Sequence, residues 1–406
     1  MAKYGNDTAS ERRVDAGLNH SKSIPSNVQP SASSQFPQNA EELKELVQSM
    51  TMSSQGEAAP PQDQFPSDME KYRNWRRDQS RKAFRPKVDP RQTSIILFPG
   101  QGSQFVGMGK DTLGYGNAQE LFEEASELLK YDLLKVCLNG PESKLSKTIH
   151  CQPAIFVTSL AAVEKLREQN PEAIENCVST AGFSIGEYAA LVLAGAMTFS
   201  DAVKIVHSRA EAMQKASEEV SSGMMTVFLG NTSKLKTAML AAREYCRQRC
   251  SISKPVCQVA NYLSPDCKVI GGHTEALEFI SSNAKSFGIL RTKRLPVSGA
   301  FHTSLMISAE TALKRSLNDV SLRLPEIPVY SNVTASRYSH EKKISQSLQK
   351  QITSPVKWEQ IMHVLYSRPQ GEDFPKTYEL GPGQQLGTLL RMVNLKAYQS
   401  YTNVAV

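Results

Sequence analysis

The pentapeptide at residues 182–186, Gly-Phe-Ser-Ile-Gly, restricts the fold of this chain more than any other feature. It follows a short β-type run, Cys177–Ala181, and precedes an apolar stretch of helical character. The G-x-S-x-G spacing is typical of a nucleophile elbow, in which a strand turns sharply into a helix and exposes one serine at the bend. Glycines suit the tight turn because they carry no side chain that would clash. The pattern predicts a strand–elbow–helix unit with Ser184 at the bend.

The same residues fit a second, purely structural pattern. Ser184 and Glu187 have the S-x-x-E spacing of a capping box, which begins helices without any catalysis. The two interpretations are compatible, since an elbow serine also lies at a helix N-terminus, where free backbone N–H groups and the helix dipole suit a developing oxyanion. The motif alone leaves both open.

Composition excludes several classes of protein. A chain of 406 residues is long enough for two or three domains, and no apolar run approaches the roughly 20 residues that span a bilayer. The net charge of +7 is spread along the chain, which indicates attraction to an acidic partner more than nucleic-acid binding. The seven cysteines include no C-x-x-C pair, so we expect reduced thiols, no disulfide framework and no metal site.

Residues 1–91 differ in composition from the rest of the chain. They are rich in Ser, Gln and Pro and poor in β-branched and aromatic residues, so they cannot bury enough apolar surface to offset the entropy of ordering. We expect a disordered or targeting segment, with one short amphipathic helix at Glu41–Met50. Residues 71–91 contain nine Lys/Arg and two acids, which indicates first a solvated linker, and otherwise a basic arm or part of a cleaved leader.

The remaining chain predicts an α/β fold in two parts. Strands alternate with helices over residues 92–222, which indicates a parallel sheet, and residues 297–406 return to that domain. Between them, residues 223–296 have the order β-α-β-β-α-β of a ferredoxin-like unit. We therefore expect an α/β-hydrolase-like parallel-sheet core with an inserted ferredoxin-like α+β subdomain.

A serine nucleophile needs a base, and His302 is the best of seven histidines for this role. It lies in a loop of small residues between a predicted strand and a predicted helix, a position that catalytic residues favour. Gln101 follows the first strand in a glycine-rich turn, where its backbone N–H and that of Ile185 are candidate oxyanion donors. A phosphate-binding loop is the alternative, although the P-loop lysine is absent. Arg209 lies on a helix, where a lone arginine is usually a surface residue.

Six motifs in order carry a family resemblance over residues from about 90 to 400. They are Phe-Pro-Gly-Gln-Gly-Ser-Gln at 98–104, Gly-Phe-Ser-Ile-Gly-Glu at 182–187, Arg-Ala-x-x-Met-Gln at 209–214, Gly-Ala-Phe-His at 299–302, Pro-Val-x-Trp at 355–358 and Gly-Pro-Gly at 381–383. Together they resemble the malonyl-CoA:acyl-carrier-protein transacylases, and most closely the animal mitochondrial form. Bacterial members usually carry histidine where this chain has Phe183, which puts the fine tuning of the pocket in doubt but not the activity.

The resemblance implies a role for each candidate residue. Ser184 would be the malonylated nucleophile, and His302 the general base and acid, oriented by the main-chain carbonyl of Gln351. Arg209 would pair with the free carboxylate of malonate, and Gln101 and Ile185 would donate to the oxyanion. Asn261 would lie near the active-site cleft. Phe301, just before the histidine, would favour malonyl over methylmalonyl, or would simply pack the loop that holds His302.

The implied reaction is a ping-pong transfer of malonyl from malonyl-CoA to the phosphopantetheine thiol of acyl carrier protein, for fatty acid synthesis. No metal or redox cofactor, nucleic acid or membrane span is expected, and the chain is expected to be a monomer. The resemblance implies a mitochondrial location, although the acidic start of the chain is unlike a typical transit peptide. Two alternatives stay open: a serine hydrolase such as a thioesterase, and a catalytically silent scaffold that binds the carrier protein.

Overall fold

The protein is described here from a computed structural model, which covers residues 40–53 and 84–406. Its strands, numbered in chain order, are β1 Ser94–Phe98, β2 Cys177–Gly182, β3 Ser222–Leu229, β4 Cys257–Ser264, β5 Cys267–His273, β6 Ile289–Arg294, β7 Lys376–Leu380 and β8 Tyr401–Val404. Its α-helices are α1 Ala40–Ser53, α2 Ala118–Leu129, α3 Leu133–Asn139, α4 Glu142–Leu145, α5 Thr148–Gln169, α6 Pro171–Glu175, α7 Gly186–Leu193, α8 Phe199–Glu219, α9 Leu235–Arg249, α10 Thr274–Ser282, α11 Ile307–Asn318, α12 Glu341–Gln351, α13 Trp358–Tyr366, α14 Gln385–Val393 and α15 Leu395–Tyr398.

A parallel sheet in the order β2-β1-β7-β8 is the centre of the larger domain. All five residues of β1 are buried, as expected of a parallel strand covered on both faces. Loops at the carboxyl ends of β1 and β2 carry Gln101 and Ser184, which places both candidate residues at the same edge of the sheet. This arrangement confirms the predicted α/β core.

A separate antiparallel sheet in the order β4-β5-β3-β6 forms the smaller subdomain. Helices α9 and α10 pack on it around their own hydrophobic cluster, which includes Met225, Tyr245 and Phe279. The observed order of strands and helices is the β-α-β-β-α-β order that the sequence predicts. After β6 the chain passes directly into the loop that carries His302.

The structure describes two stretches of residues 1–91. Helix α1 contains the predicted Glu41–Met50 helix, and its Leu46 is buried in the hydrophobic cluster of the small subdomain. The reason is the amphipathic pattern, because Leu43 and Val47 pack against the same cluster. Near residue 84, the Phe84 backbone N–H donates to the Tyr330 hydroxyl at 3.3 Å. The predictions for residues 1–39 and 54–83 lie outside the described residues.

Within residues 40–53 and 84–406, no helix has both the length and the apolar character that a membrane crossing requires.

Candidate active site

The elbow forms as the glycine spacing predicts. Ser184 has φ +53°, a left-handed conformation that is uncommon outside glycine and typical of a strained functional turn. A Cβ on Gly182 would lie 1.9 Å from the backbone of Gly186, and a Cβ on Gly186 would lie 2.3 Å from the carbonyl oxygen of Phe98. The two flanking positions therefore need glycine because β2, α7 and the end of β1 meet at backbone distance.

The capping-box interpretation of Ser184 and Glu187 is wrong. Helix α7 begins at Gly186 with no side-chain cap, so Ser184 does not cap it. The Ser184 hydroxyl instead lies 2.8 Å from Nε2 of His302. Glu187 turns away from the helix start and is fully buried.

His302 is held in one orientation by the main chain. Its Nδ1 lies 2.7 Å from the carbonyl oxygen of Gln351, the residue that ends α12. Because a carbonyl can only accept, Nδ1 must carry the proton, and the unprotonated Nε2 faces Ser184. The geometry is that of a serine and its base, with a carbonyl in the position that an Asp or Glu side chain occupies in most hydrolases.

The electrostatic surroundings keep this imidazole neutral. Burial, and secondarily the nearby positive charge of Arg209, lower the pKa of His302 to about 4. At neutral pH the ring is therefore unprotonated and able to accept the proton of Ser184.

Arg209 is not a surface residue: helix α8 places it in the interior, with no exposed area. Its Nη2 donates to the Ser184 hydroxyl and to Oε1 of Gln351, both at 2.9 Å, and its Nη1 donates to Oε1 of Gln152 at 2.6 Å. Tyr188 lies beneath the guanidinium, 5.6 Å from ring centroid to Cζ. All these polar partners are neutral, and within the described part of the chain no carboxylate lies within 4.0 Å of Arg209.

The two candidate oxyanion donors, the backbone N–H groups of Gln101 and Ile185, have no acceptor among the residues that the structure describes. They come from the loop after β1 and from the elbow itself. The two loops meet at Gly100, where an added Cβ would lie 2.7 Å from the carbonyl oxygen of Phe183, and free donors on both loops are what an oxyanion hole requires. The side chain of Gln101 lies near Thr148 and Gln152, at 3.4 Å from each.

Sequence analysis missed three residues that complete the site. Asn332 accepts the backbone N–H of Ser184 at 2.7 Å and donates to the carbonyl of Gly182 at 2.7 Å, so it braces both arms of the elbow. Glu187 accepts from the Tyr338 hydroxyl at 2.5 Å. Gln152, the third, is the partner of Arg209. Glu187 stands out in the sequence only as the last residue of the elbow motif and as part of a capping pattern, and no local motif marks Asn332 or Gln152.

The two other candidates, Phe301 and Asn261, are buried and make no hydrogen bond to Ser184. Phe301 is 4% exposed and belongs to the main hydrophobic cluster, so packing is its visible role. Asn261, in β4, is buried with its Oδ1 unpartnered. Phe183 packs against Trp358 with a ring-centroid distance of 5.4 Å, and its ring also lies over Gly100. The described residues contain no cluster of three or more side chains suited to a metal ion.

Comparison with known proteins places this geometry in a family. Residues 95–370 match the model of the acyl transferase domain. A human protein named malonyl-CoA-acyl carrier protein transacylase, mitochondrial, is 54% identical over 317 residues, which are 78% of this chain and 81% of that protein. The chain belongs to the malonyl-CoA-acyl carrier protein transacylase family.

Solved structures agree with that membership. The transacylase of Coxiella burnetii has 31% identity and a TM-score of 0.69, and the match covers 78% of this chain and 95% of that one. A malonyl-transacylase solved in complex with a type II PKS acyl-carrier protein has 30% identity and a TM-score of 0.67, with 77% and 96% covered. The transacylase family therefore accounts for both the parallel core and the inserted antiparallel subdomain.

Proposed function

We propose that this chain transfers the malonyl group of malonyl-CoA to the phosphopantetheine thiol of an acyl carrier protein, through a malonyl ester on Ser184. The names of the relatives give the substrate pair, and the mitochondrial label of the human relative gives the location. The product would supply extender units for fatty acid synthesis.

The observation that carries the proposal is the buried guanidinium of Arg209. A fully buried charge is costly, so it requires a specific reason. Among the described residues, none of the groups that hydrogen-bond this guanidinium carries a counter-charge, and the Glu187 carboxylate acts on it only across the Gln351 amide. Its Nη2 lies 2.9 Å from the nucleophilic oxygen, which is close enough to reach the free carboxylate of a malonyl group bound there. Arg–carboxylate pairs are frequently bidentate, which fixes the acyl group in position as well as binding it.

The first half-reaction forms the acyl-enzyme. His302 Nε2 takes the proton of the Ser184 hydroxyl while the oxygen attacks the thioester carbonyl. The negative oxygen of the tetrahedral intermediate is stabilised by the N–H groups of Gln101 and Ile185. The C–S bond then breaks, and CoA leaves as its thiol after receiving the proton from His302.

The second half-reaction repeats these steps with a different nucleophile. His302 takes the proton of the phosphopantetheine thiol, sulfur attacks the malonyl ester, and Ser184 leaves with the proton returned to its oxygen. Both partners of the serine are already oriented, so no further group is needed for proton transfer. We propose accordingly that no metal or redox cofactor is bound, and that the chain acts as a monomer.

Two observations support acyl carrier protein as the acceptor. The net charge of +7 suits an acidic partner. A relative with the same fold has been solved in complex with an acyl-carrier protein. We further propose that Phe301 restricts branching at the acyl α-carbon, and that Asn261 lies beside the cleft.

Incubation with radiolabelled malonyl-CoA tests the proposal. Label should appear on the protein alone and should move to holo carrier protein when that protein is added. Release of free malonate, with no transfer, would instead identify a hydrolase. Binding of carrier protein without any labelling would identify a silent scaffold.

A further inference from the structure

A buried carboxylate lies behind the nucleophile and is not used in the proton transfers. Glu187 has 1% exposure. It is the second residue of α7 and follows Ser184 by three positions in the chain. Burying a charge is costly unless hydrogen bonds compensate it, and four donor contacts do so here. The Tyr338 hydroxyl donates at 2.5 Å, the Asn332 backbone N–H lies 3.3 Å from each carboxylate oxygen, and Nε2 of Gln351 donates at 2.5 Å.

Gln351 connects this carboxylate to the reacting groups. Its side-chain Nε2 also donates to the Ser184 carbonyl at 3.0 Å, and its Oε1 accepts from Nη2 of Arg209 at 2.9 Å. Its main-chain carbonyl accepts from His302 at 2.7 Å. One residue therefore positions both the base and the carboxylate-binding cation, by two different parts of its structure.

The amide of Gln351 has two possible orientations, related by a rotation of 180°, and only one of them suits Arg209. A guanidinium has donors only, so the amide must present its oxygen to it. An ionised carboxylate has acceptors only, so it must face the amide nitrogen. The two requirements agree because Glu187 and Arg209 lie on opposite sides of the amide. The Ser184 carbonyl is also acceptor-only and favours the same orientation, so Glu187 adds a charged acceptor to a neutral one. A neutral group at 187 would remove that charged contact and weaken the hold on the amide that faces Arg209.

We propose that Glu187 is a positioning residue for malonyl transfer: it fixes the Gln351 amide so that its oxygen holds Arg209 in place for the substrate carboxylate. This inference rests on the proposed function. It predicts that Glu187 affects the recognition of malonyl more than the proton transfers of Ser184 and His302, which depend on the main-chain carbonyl of Gln351.

The pKa of Glu187 sets the pH range in which this group is an acceptor-only carboxylate. Burial raises the pKa of Glu187 to about 7, while its hydrogen bonds from Tyr338, Gln351 and Asn332 and the charge of Arg209 oppose the rise. The carboxylate form of Glu187 therefore predominates only above about pH 7, and these contacts keep the pKa from rising further.

Glu187→Gln tests the proposal, because it keeps the shape and removes the acceptor-only character. We expect the KM for malonyl-CoA to rise about tenfold, the scale for a hydrogen bond to a charged group, with a smaller change in kcat and in acetyl transfer.

The matched control is Glu379→Gln. Glu379 is also fully buried and accepts from the Tyr401 hydroxyl at 2.6 Å and from the backbone N–H of Gly387 at 2.8 Å, but it contacts no active-site residue. The Glu379→Gln variant should be less stable than the wild-type protein, but the ratio of its malonyl-transfer to its acetyl-transfer activity should not change.

A double-mutant cycle with Gln351→Met separates the proposal from a merely structural role. Methionine removes the amide and leaves the main-chain carbonyl that holds His302. If Glu187 acts through the amide, Glu187→Gln should add little to the malonyl defect of Gln351→Met. Additive effects, or an unchanged malonyl-to-acetyl ratio in Glu187→Gln, would overturn the proposal.

Two other outcomes are possible: failure of Glu187→Gln to fold, and failure of the wild-type chain to transfer malonyl. If Glu187→Gln does not fold, Tyr338→Phe is the substitute variant, because it removes one donor to the carboxylate. It should change the malonyl-to-acetyl activity ratio in the same direction by a smaller factor. An unchanged ratio in Tyr338→Phe would count against the proposal. Failure of the wild-type chain to transfer malonyl would refute the proposed function itself, independently of Glu187.

Discussion

The Ser184 hydroxyl and Nε2 of His302 lie 2.8 Å apart, and both residues have a left-handed backbone, with φ of +53° and +61°. Neither residue is glycine, so each conformation costs energy, and such strain persists only where the surrounding structure enforces it. Asn332 enforces it at Ser184, and the Gln351 carbonyl holds the ring of His302. The contact between the proposed nucleophile and its proposed base is thus built into the fold.

This geometry predicts that Ser184 carries the acyl group. Mixing the protein with malonyl-CoA should give one malonyl adduct, located at Ser184 by mass spectrometry of peptides. Ser184→Ala should lack the adduct, because within residues 40–53 and 84–406 no other side-chain hydroxyl is hydrogen-bonded to His302. A persistent adduct in that variant would refute the assignment.

His302 should set the acid limb of the reaction. Because burial and Arg209 lower its pKa to about 4, the base stays neutral as the pH falls from 7, and kcat at saturating malonyl-CoA should fall only well below pH 6.5. An acid limb at 6.5 or above would contradict the assignment. His302→Ala should slow acylation by roughly a hundredfold or more, the usual scale for loss of a general base.

The lowered pKa of His302 also affects the free energy of unfolding. Between about pH 6.5 and pH 4 the unfolded imidazole binds a proton that the folded one does not, so the free energy of unfolding decreases as the pH falls through this range. His302→Ala should lose that part of the pH dependence. Measuring the free energy of unfolding of the wild-type protein and of His302→Ala at each pH isolates the contribution of His302. Other groups, such as Glu187, titrate in both proteins and cancel in the difference.

Sequence patterns predicted the elbow and the subdomain but not the residues that brace the site. The elbow is local, since Gly182 and Gly186 act on backbone only a few residues away. Asn332 and Glu187 are separated by 145 residues and meet only in the folded chain. The local capping pattern at Glu187 pointed to the wrong contact because tertiary partners bind that carboxylate instead.

The burial of Arg209 also could not be predicted from the sequence pattern. Its helix has an ordinary amphipathic pattern, and nothing in it distinguishes an interior arginine from a surface one. Helix α8 packs against both α5 and α11, which removes the solvent that the pattern leads one to expect. The family resemblance supplied the role that periodicity did not. Gln152 reaches Arg209 from helix α5, which begins at Thr148.

Arg209→Ala should damage malonyl transfer far more than acetyl transfer. A hydrogen bond to a charged group contributes about 1.5–3 kcal/mol, which corresponds to roughly a ten- to hundredfold loss in kcat/KM for malonyl-CoA. Acetyl has no carboxylate to pair. Equal losses with both thioesters would mean that Arg209 only supports Ser184 and Gln351, and would remove the main argument for a malonyl substrate.

The N-terminal region should affect stability and not chemistry. A chain that begins at Phe84 keeps the contact with Tyr330 and loses α1, which exposes the part of the small subdomain that Leu46 covers. We expect a lower Tm and an unchanged kcat/KM. In the full chain, Leu46→Ala should lower Tm in the same direction. A folded, inactive chain beginning at Phe84 would show that the removed residues help to form the site.

Phe301 provides the test of substrate choice. A ring beside the acyl α-carbon leaves little room for a methyl branch, and overpacking costs about 1–3 kcal/mol, so roughly 5- to 150-fold discrimination against methylmalonyl is expected. The buried position of Phe301 in the main cluster fits packing equally well. The measurement is the ratio of kcat/KM for malonyl-CoA and methylmalonyl-CoA. Phe301→Ser should move it towards methylmalonyl, while Phe301→Leu, which keeps more bulk, should move it less. A ratio that stays fixed while both activities fall would show that Phe301 only packs the loop that carries His302.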